Sequence, residues 1–189
     1  MRAVEAVVIG GSAGAVNALG KILPGLPATF PPILVVIHVP PSATSLLAPI
    51  FAPTCAMRVC EAEPFQPFSS GSVYFAPADY HLLVETDRRC SLSIEPPVHF
   101  SRPAIDVLFE SAAEAYGAAL VGLVLTGASS DGARGLRAVH AAGGLPIVQE
   151  PGTAEVDVMP RAALAAVPSA RVVRLSEIAR HLLFLAQAT

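Results

Sequence analysis

The sequence predicts an α/β protein of three layers: a mainly parallel central sheet, helices on both faces, and an antiparallel hairpin insertion. Three observations carry this. Short apolar runs of strand length alternate with segments of helical periodicity, the pattern that builds parallel sheets wrapped by helices. Hydrophobic residues make up 53% of the chain and charged residues only 14%, as in strands buried on both faces. The residues between about 57 and 94 break the alternation with short apolar segments separated by Pro, Gly and charged turns, which reads as hairpins.

Each element has its own reason. Val4 to Ile9 reads as a buried strand, followed by Gly10, Gly11 and Gly14 and a helix from Ala15 to Leu23. Ile33 to Ile37 is the second strand, followed by a Pro40-Pro41 turn and a helix near Ser45 to Phe51. Met57–Cys60, Val73–Phe75, His81–Val84 and Ser91–Ile94 are the hairpin strands. A helix from Ala104 to Tyr116 restores the alternation, with Pro103 suited to its first turn. Ala119 to Leu125 is a third buried strand, and Asp131 to Ala141 the helix after it. Ile147-Val148 and Val172-Val173 are short strands, and Ser176 is placed to cap a last helix over Glu177 to Ala188.

Composition excludes several classes. The 189 residues suffice for one domain with a large core, and the net charge of -3 gives no general attraction to nucleic acid or anionic lipid. No apolar run reaches the roughly 18 residues of a membrane span, and Met1 to Gly10 lacks the parts of a signal peptide. Cys55, Cys60 and Cys90 are an odd set without metal spacing, read as reduced thiols of a cytoplasmic protein.

Function in open parallel sheets gathers at the carboxyl ends of the strands. Strand one is followed by Gly10-Gly11-Ser12-Ala13-Gly14, strand two by His38, and Ala119–Leu125 by Thr126-Gly127-Ala128-Ser129-Ser130-Asp131-Gly132. A hydroxyl, an imidazole and a carboxylate are the set that nucleophilic acyl transfer needs. Ser12 lies in G-x-S-x-G, which is also the form of a plain tight turn or phosphate cradle. Dinucleotide binding is disfavoured because His38 stands where an acidic residue should hold the ribose, and no Gly-Lys-Ser/Thr marks a P-loop. His38 alone could be a core residue and Asp131 alone an N-cap. His81, His99, His140 and His181 are expected to be structural or solvent-facing.

Taken together, Val8–Gly14, Ile37-His38-Val39-Pro40 and Leu125–Ala133 resemble the chemotaxis receptor methylesterases, the CheB-type catalytic domain. Tyr74-Phe75-Ala76-Pro77 with His81-Leu82, Ser101–Phe109 and Met159-Pro160-Arg161-Ala162 extend the resemblance over nearly the whole chain. It implies a protein-glutamate methylesterase, able also to deamidate receptor glutamines, with Ser12, His38 and Asp131 as triad. The amides of Ala13 and Ala128 are the implied oxyanion donors, and no metal or organic cofactor is implied. The implied partner is a methylated chemoreceptor or receptor-like helical protein, with a separate regulatory protein as a further candidate. Arg102, Arg134, Met159 and Arg161 are candidate substrate contacts. A non-catalytic receptor-binding module and a small-molecule esterase are the alternatives.

The chain departs from the family pattern at Ala13, Ala15, Ala128 and Ser129, and places Glu155 and Asp157 before Met159. These changes bear on specificity and rate. Many relatives carry an N-terminal receiver domain; here residues 1–189 are expected to be one catalytic domain without it.

Overall fold

A computed structural model describes residues 3–38 and 46–187. Seven parallel strands form one sheet in the order β3-β4-β2-β1-β7-β8-β9. They are β1 (Ala6–Gly11), β2 (Ile33–Ile37), β3 (Arg58–Glu61), β4 (Ser72–Phe75), β7 (Leu120–Val124), β8 (Leu145–Gln149) and β9 (Arg171–Val173). Two further strands, β5 (His81–Val84) and β6 (Cys90–Ser93), make a separate antiparallel hairpin.

The three central strands, β2, β1 and β7, are buried along their whole length. Their side chains alternate between two cores, as the two-residue period of a strand requires. Val7, Ile9, Ile33, Val35 and Leu123 face the core that also holds α1 (Ala15–Ile22), α2 (Leu47–Phe51) and α6 (Ile178–Gln187). Val8, Leu34, Val36 and Val124 face the opposite core, filled by α3 (Ile105–Tyr116), α4 (Ala133–Ala141) and α5 (Val158–Ala166). The hairpin packs on the α3 side through Leu82, Val84 and Cys90. This matches the three-layer expectation.

Several expectations are corrected. Among the described strands only β5 and β6 pair antiparallel; β3 and β4 join the main sheet in parallel register, Val59 beside Val73 and Cys60 beside Tyr74. Pro103 lies before the N-cap residue Ala104 and so outside the first turn of α3. Ser176 sits inside a 3₁₀ turn, Leu175–Glu177, instead of capping α6. Helix α5 was not expected; its proline, Pro160, falls in the first turn, where a missing N–H costs nothing. The Pro40-Pro41 turn and the helix start at Ser45 lie outside the described residues.

One contact governs how α3 meets the sheet. Ile105, fully buried, rests directly on Gly10 of β1. A methyl group on Gly10 would overlap Ile105 Cγ2 and stand 3.0 Å from its Cγ1, so only glycine admits the helix this close. Gly132 makes room on the other side of the same residue: a Cβ there would lie 2.8 Å from Ile105 Cγ2. Gly132 also has φ of 93°, a conformation other residues adopt only with strain.

Candidate active site

The strand order reverses at β1, since the chain first builds outward through β2 and later returns to its other side with β7. Clefts at such switch points, beyond the carboxyl ends of the strands, are where this architecture binds ligands. Ser12 directly follows β1, His38 follows β2, and Thr126 to Asp131 follow β7. Register brings these ends together. Gly11 pairs with Ile37, the amide of His38 donates to Gly11 O at 3.3 Å, and the amide of Ser12 donates to Thr126 O at 2.9 Å.

His38 and Asp131, 93 residues apart, meet at 2.8 Å between Nε2 and Oδ2. The imidazole is nearly enclosed, with 13% of its side chain exposed, and the carboxylate is fully buried. Burial alone would raise the Asp131 carboxyl. The hydrogen bond from His38 and those from the amides of Ile105 (2.7 Å to Oδ2) and Asp106 (2.9 Å to Oδ1) outweigh it and hold the group below the usual carboxylate range. Asp131 is therefore an anion that accepts three hydrogen bonds, two at Oδ2 and one at Oδ1. With Nε2–H donated to Asp131, the nitrogen left as a base is Nδ1. Among the described residues, neither Ser12 Oγ nor His38 Nδ1 has a hydrogen-bond partner.

The N-cap expectation for Asp131 is corrected. The N-cap of α4 is Gly132, and the Asp131 carboxylate instead caps the amino end of α3. Asp106, in the first turn of α3, returns the arrangement: its Oδ1 accepts the amides of Gly132 (2.9 Å) and Gly135 (2.7 Å) at the start of α4. Two helix N-termini are thus cross-capped by each other's neighbouring carboxylates.

The nucleophile turn is fixed by Thr126. Its hydroxyl lies 2.9 Å from Ala13 O and 3.1 Å from Val156 O, and it accepts the Val156 amide at 2.9 Å. Gln149, at the end of β8 and fully buried, accepts the Thr126 amide and donates to Thr153 O, both at 2.9 Å. Thr126, Gln149 and Asp106 were not singled out from sequence for the site. The first two sit at strand ends: Thr126 opens the segment after β7 already noted in the sequence, and Gln149 is the polar last residue of β8.

The amides of Ala13 and Ala128 take no part in the hydrogen bonding of the fold among the described residues, and both residues are exposed. Ala128 follows Gly127, whose Cα carries no side chain; a Cβ there would stand 3.0 Å from Ser12 Cβ and 2.6 Å from Met159 Cε. Met159, buried, therefore backs the turn that bears Ser12. Ser129 accepts the Asp131 amide at 3.3 Å, which shapes the loop. The carboxylate of Glu155 lies over Gly14, at the entry to α1.

The three arginines differ. Arg102 is committed to Asp79 (3.0 and 2.6 Å) and to the carbonyls of Ile94 and Glu95 (2.7 and 3.1 Å), so it ties the segment after the hairpin to the loop before it. Arg134 pairs with Glu110 at 2.6 Å and approaches Asp106 at 3.7 Å. Both are engaged in ion pairs within the fold. Arg161 is exposed on α5 and, among the described residues, pairs only with Asp157, at 2.6 Å. Of the remaining histidines, His81 is buried and accepts the Ala104 amide through Nδ1 while its Nε2 meets Pro96 O, a structural role as expected. His99 faces Asp106 Oδ2 at 3.2 Å.

Known proteins resemble this chain in sequence and fold. The family model described as CheB methylesterase matches residues 7–182. A solved structure, the Thermotoga maritima CheB methylesterase catalytic domain, superposes with a TM-score of 0.92 at 33% identity, covering 98% of this chain and all of that one. A Leptospira interrogans protein, provisionally named protein-glutamate methylesterase/protein-glutamine glutaminase, is 48% identical over 93% of this chain and 91% of its own length. The Symbiobacterium thermophilum protein-glutamate methylesterase/protein-glutamine glutaminase is 44% identical over 82% of this chain, and the match spans 43% of that protein. A match over nearly the whole chain, with the same fold, settles the kinship: the chain belongs to the CheB methylesterase family.

Proposed function

We propose that this chain hydrolyses γ-glutamyl methyl esters through an acyl-enzyme on Ser12. The observation that carries the reading is the 2.8 Å contact between His38 and a fully buried, ionised Asp131, placed at the strand end beside Ser12. Nδ1 of His38 takes the Ser12 proton as Oγ attacks the ester carbonyl. Asp131 stabilises the imidazolium that forms. The amides of Ala13 and Ala128 receive the oxyanion, and each such donor is worth about 3 to 4 kcal/mol in the transition state. The imidazolium returns its proton to the departing methoxide, and water, activated by the same nitrogen, releases the glutamate. Attack on a glutamine amide follows the same course with ammonia as leaving group, in keeping with the second activity in the relatives' names.

CheB methylesterases act on methylated chemoreceptors, so the substrate proposed here is a methylated chemoreceptor or receptor-like helical signalling protein. Its cytoplasmic part would be the meeting place. No helix among the described residues is long and apolar enough to cross a membrane. Met159 would wall the nucleophile turn, and Arg161 would offer a cation to a glutamate-rich helix.

Methanol release from a methyl-labelled receptor fragment tests this. Wild type should release it and Ser12→Ala should not; equal release from both overturns the assignment. Turnover of small esters with the receptor left untouched would keep Ser12 but replace the substrate.

A further inference from the structure

The mechanism above leaves a buried carboxylate unused. Asp106 is fully buried, and among the described residues its Oδ2 makes no hydrogen bond, although His99 Nε2 stands 3.2 Å from it. Buried charges normally neutralise or pair completely, so a half-satisfied carboxylate in the wall of a catalytic site needs an account. Its carboxylate, that of Asp131 and the imidazole of His99 each bring an atom to within 4.8 Å of the others. A cation site is one reading of such a cluster. The guanidinium of Arg134, 3.7 Å from the same Oδ2, argues against it, because a bound cation would meet a fixed positive charge.

Asp106 touches the proposed triad in two ways. Its amide donates to Asp131 Oδ1 at 2.9 Å. Its Oδ1 accepts the amides of Gly132 and Gly135, which fixes the backbone immediately after Asp131. A carboxylate oxygen of Asp106 lies within 4.8 Å of one of Asp131, whose Oδ2 in turn meets His38 at 2.8 Å, so the Asp106 charge stands behind that pair. We propose that Asp106 is a positioning residue for the hydrolysis: it sets the Asp131 carboxylate and adds a second negative charge behind the His38–Asp131 pair. This rests on the triad reading above.

The charged groups facing Asp106 set its influence. His99, held in the turn closed by the Val98–Ser101 bridge, and Arg134 on α4 both face Oδ2, and the guanidinium of Arg134 offsets its charge. Glu110, one turn along α3, draws Arg134 away at 2.6 Å. His81, on β5, is occupied by Ala104 N and Pro96 O and turns no free nitrogen to the cluster. Arg137, further along α4, is exposed.

The test is Asp106→Asn, because asparagine keeps the carbonyl oxygen that caps Gly132 and Gly135 while removing the charge. The imidazolium loses a stabilising neighbour, so the acid limb of kcat/KM moves to lower pH by about one unit. The rate falls about tenfold through kcat, with KM little changed, as expected for support given only in the transition state. Arg134→Gln unmasks the same charge and moves the acid limb upward. An acid limb that coincides with wild type in Asp106→Asn overturns the proposal whatever the rate. Should Asp106→Asn fail to fold, by circular dichroism, Arg134→Gln decides: movement upward supports the proposal and no movement overturns it. A wild type whose activity survives Ser12→Ala would instead sink the triad reading itself, so the two failures are distinguishable.

Discussion

Gly10→Ala is expected to damage stability and activity through one residue, Ile105. The added methyl would overlap Ile105 Cγ2 and stand 3.0 and 3.1 Å from Cγ1 and Cδ1, where carbon atoms rest at about 3.5 to 4.0 Å. Ile105 cannot turn aside easily, because a β-branched residue in a helix holds essentially one χ1 rotamer. Gly132 and the sheet close the space around it. Overpacking of this kind costs about 1 to 3 kcal/mol, and this case belongs at the upper end. Relief requires α3 to lift from β1, and the first bond to stretch is Ile105 N–H to Asp131 Oδ2, now 2.7 Å. Activity should therefore fall beyond what the loss of folded protein explains, by about tenfold to a hundredfold, the scale set by an ångström of misplacement. The assay is urea unfolding together with ester hydrolysis, on a cycle of Gly10→Ala, Ile105→Ala and the double variant. Ile105→Ala alone leaves a cavity and costs about 2 to 5 kcal/mol. The double variant should be less destabilised than the sum of the two by at least about 1 kcal/mol, since the new methyl fills space the isoleucine vacates. Additivity within about 0.5 kcal/mol would refute the close approach of α3 to β1.

Two more outcomes follow from the ionisable groups. The Asp131 carboxyl lies below its unfolded value of about 3.9, so it adds stability above that pH which is lost as pH falls through the folded value. The stability gap between wild type and Asp131→Asn, read from urea unfolding, should shrink as pH falls below about 4; a gap that does not shrink there contradicts the buried, ionised carboxylate. Burial pushes the Cys90 thiol up to about 12 and raises Cys55 and Cys60 as well. At pH 8 the native protein should react slowly with iodoacetamide, Cys90 slowest, and all three should react in urea; faster labelling of Cys90 than of Cys55 would refute its burial.

Much of the fold is legible in the sequence because the central strands are buried on both faces. Ile33–Ile37 is an unbroken apolar run, and β2 has those bounds. Pairing direction is another matter. β3 is an edge strand with mixed exposure, and β4 lies just inside it, so both are short and bounded by turns like the true hairpin strands. Periodicity tells which face of a strand is buried, never which way its neighbour runs. At the site, Ser12, His38 and Asp131 stand out because each follows an apolar run. Asp106 does not: it sits in the first turn of an amphipathic helix, where an aspartate ordinarily faces water. Its burial depends on Gly132 and Gly135, 26 and 29 residues away. Likewise, nothing in the sequence says that Arg102 is spent on Asp79 and two carbonyls.

The central claim is that Ser12 is a nucleophile activated by His38 on a buried Asp131. Reaction with a fluorophosphonate probe, followed by peptide mass mapping, tests it most directly. One label should appear, on the peptide containing Ser12, and its rate of attachment should fall at least about a hundredfold in His38→Ala, as loss of an activating base requires. Label on another serine, or undiminished labelling of Ser12 without His38, would contradict it.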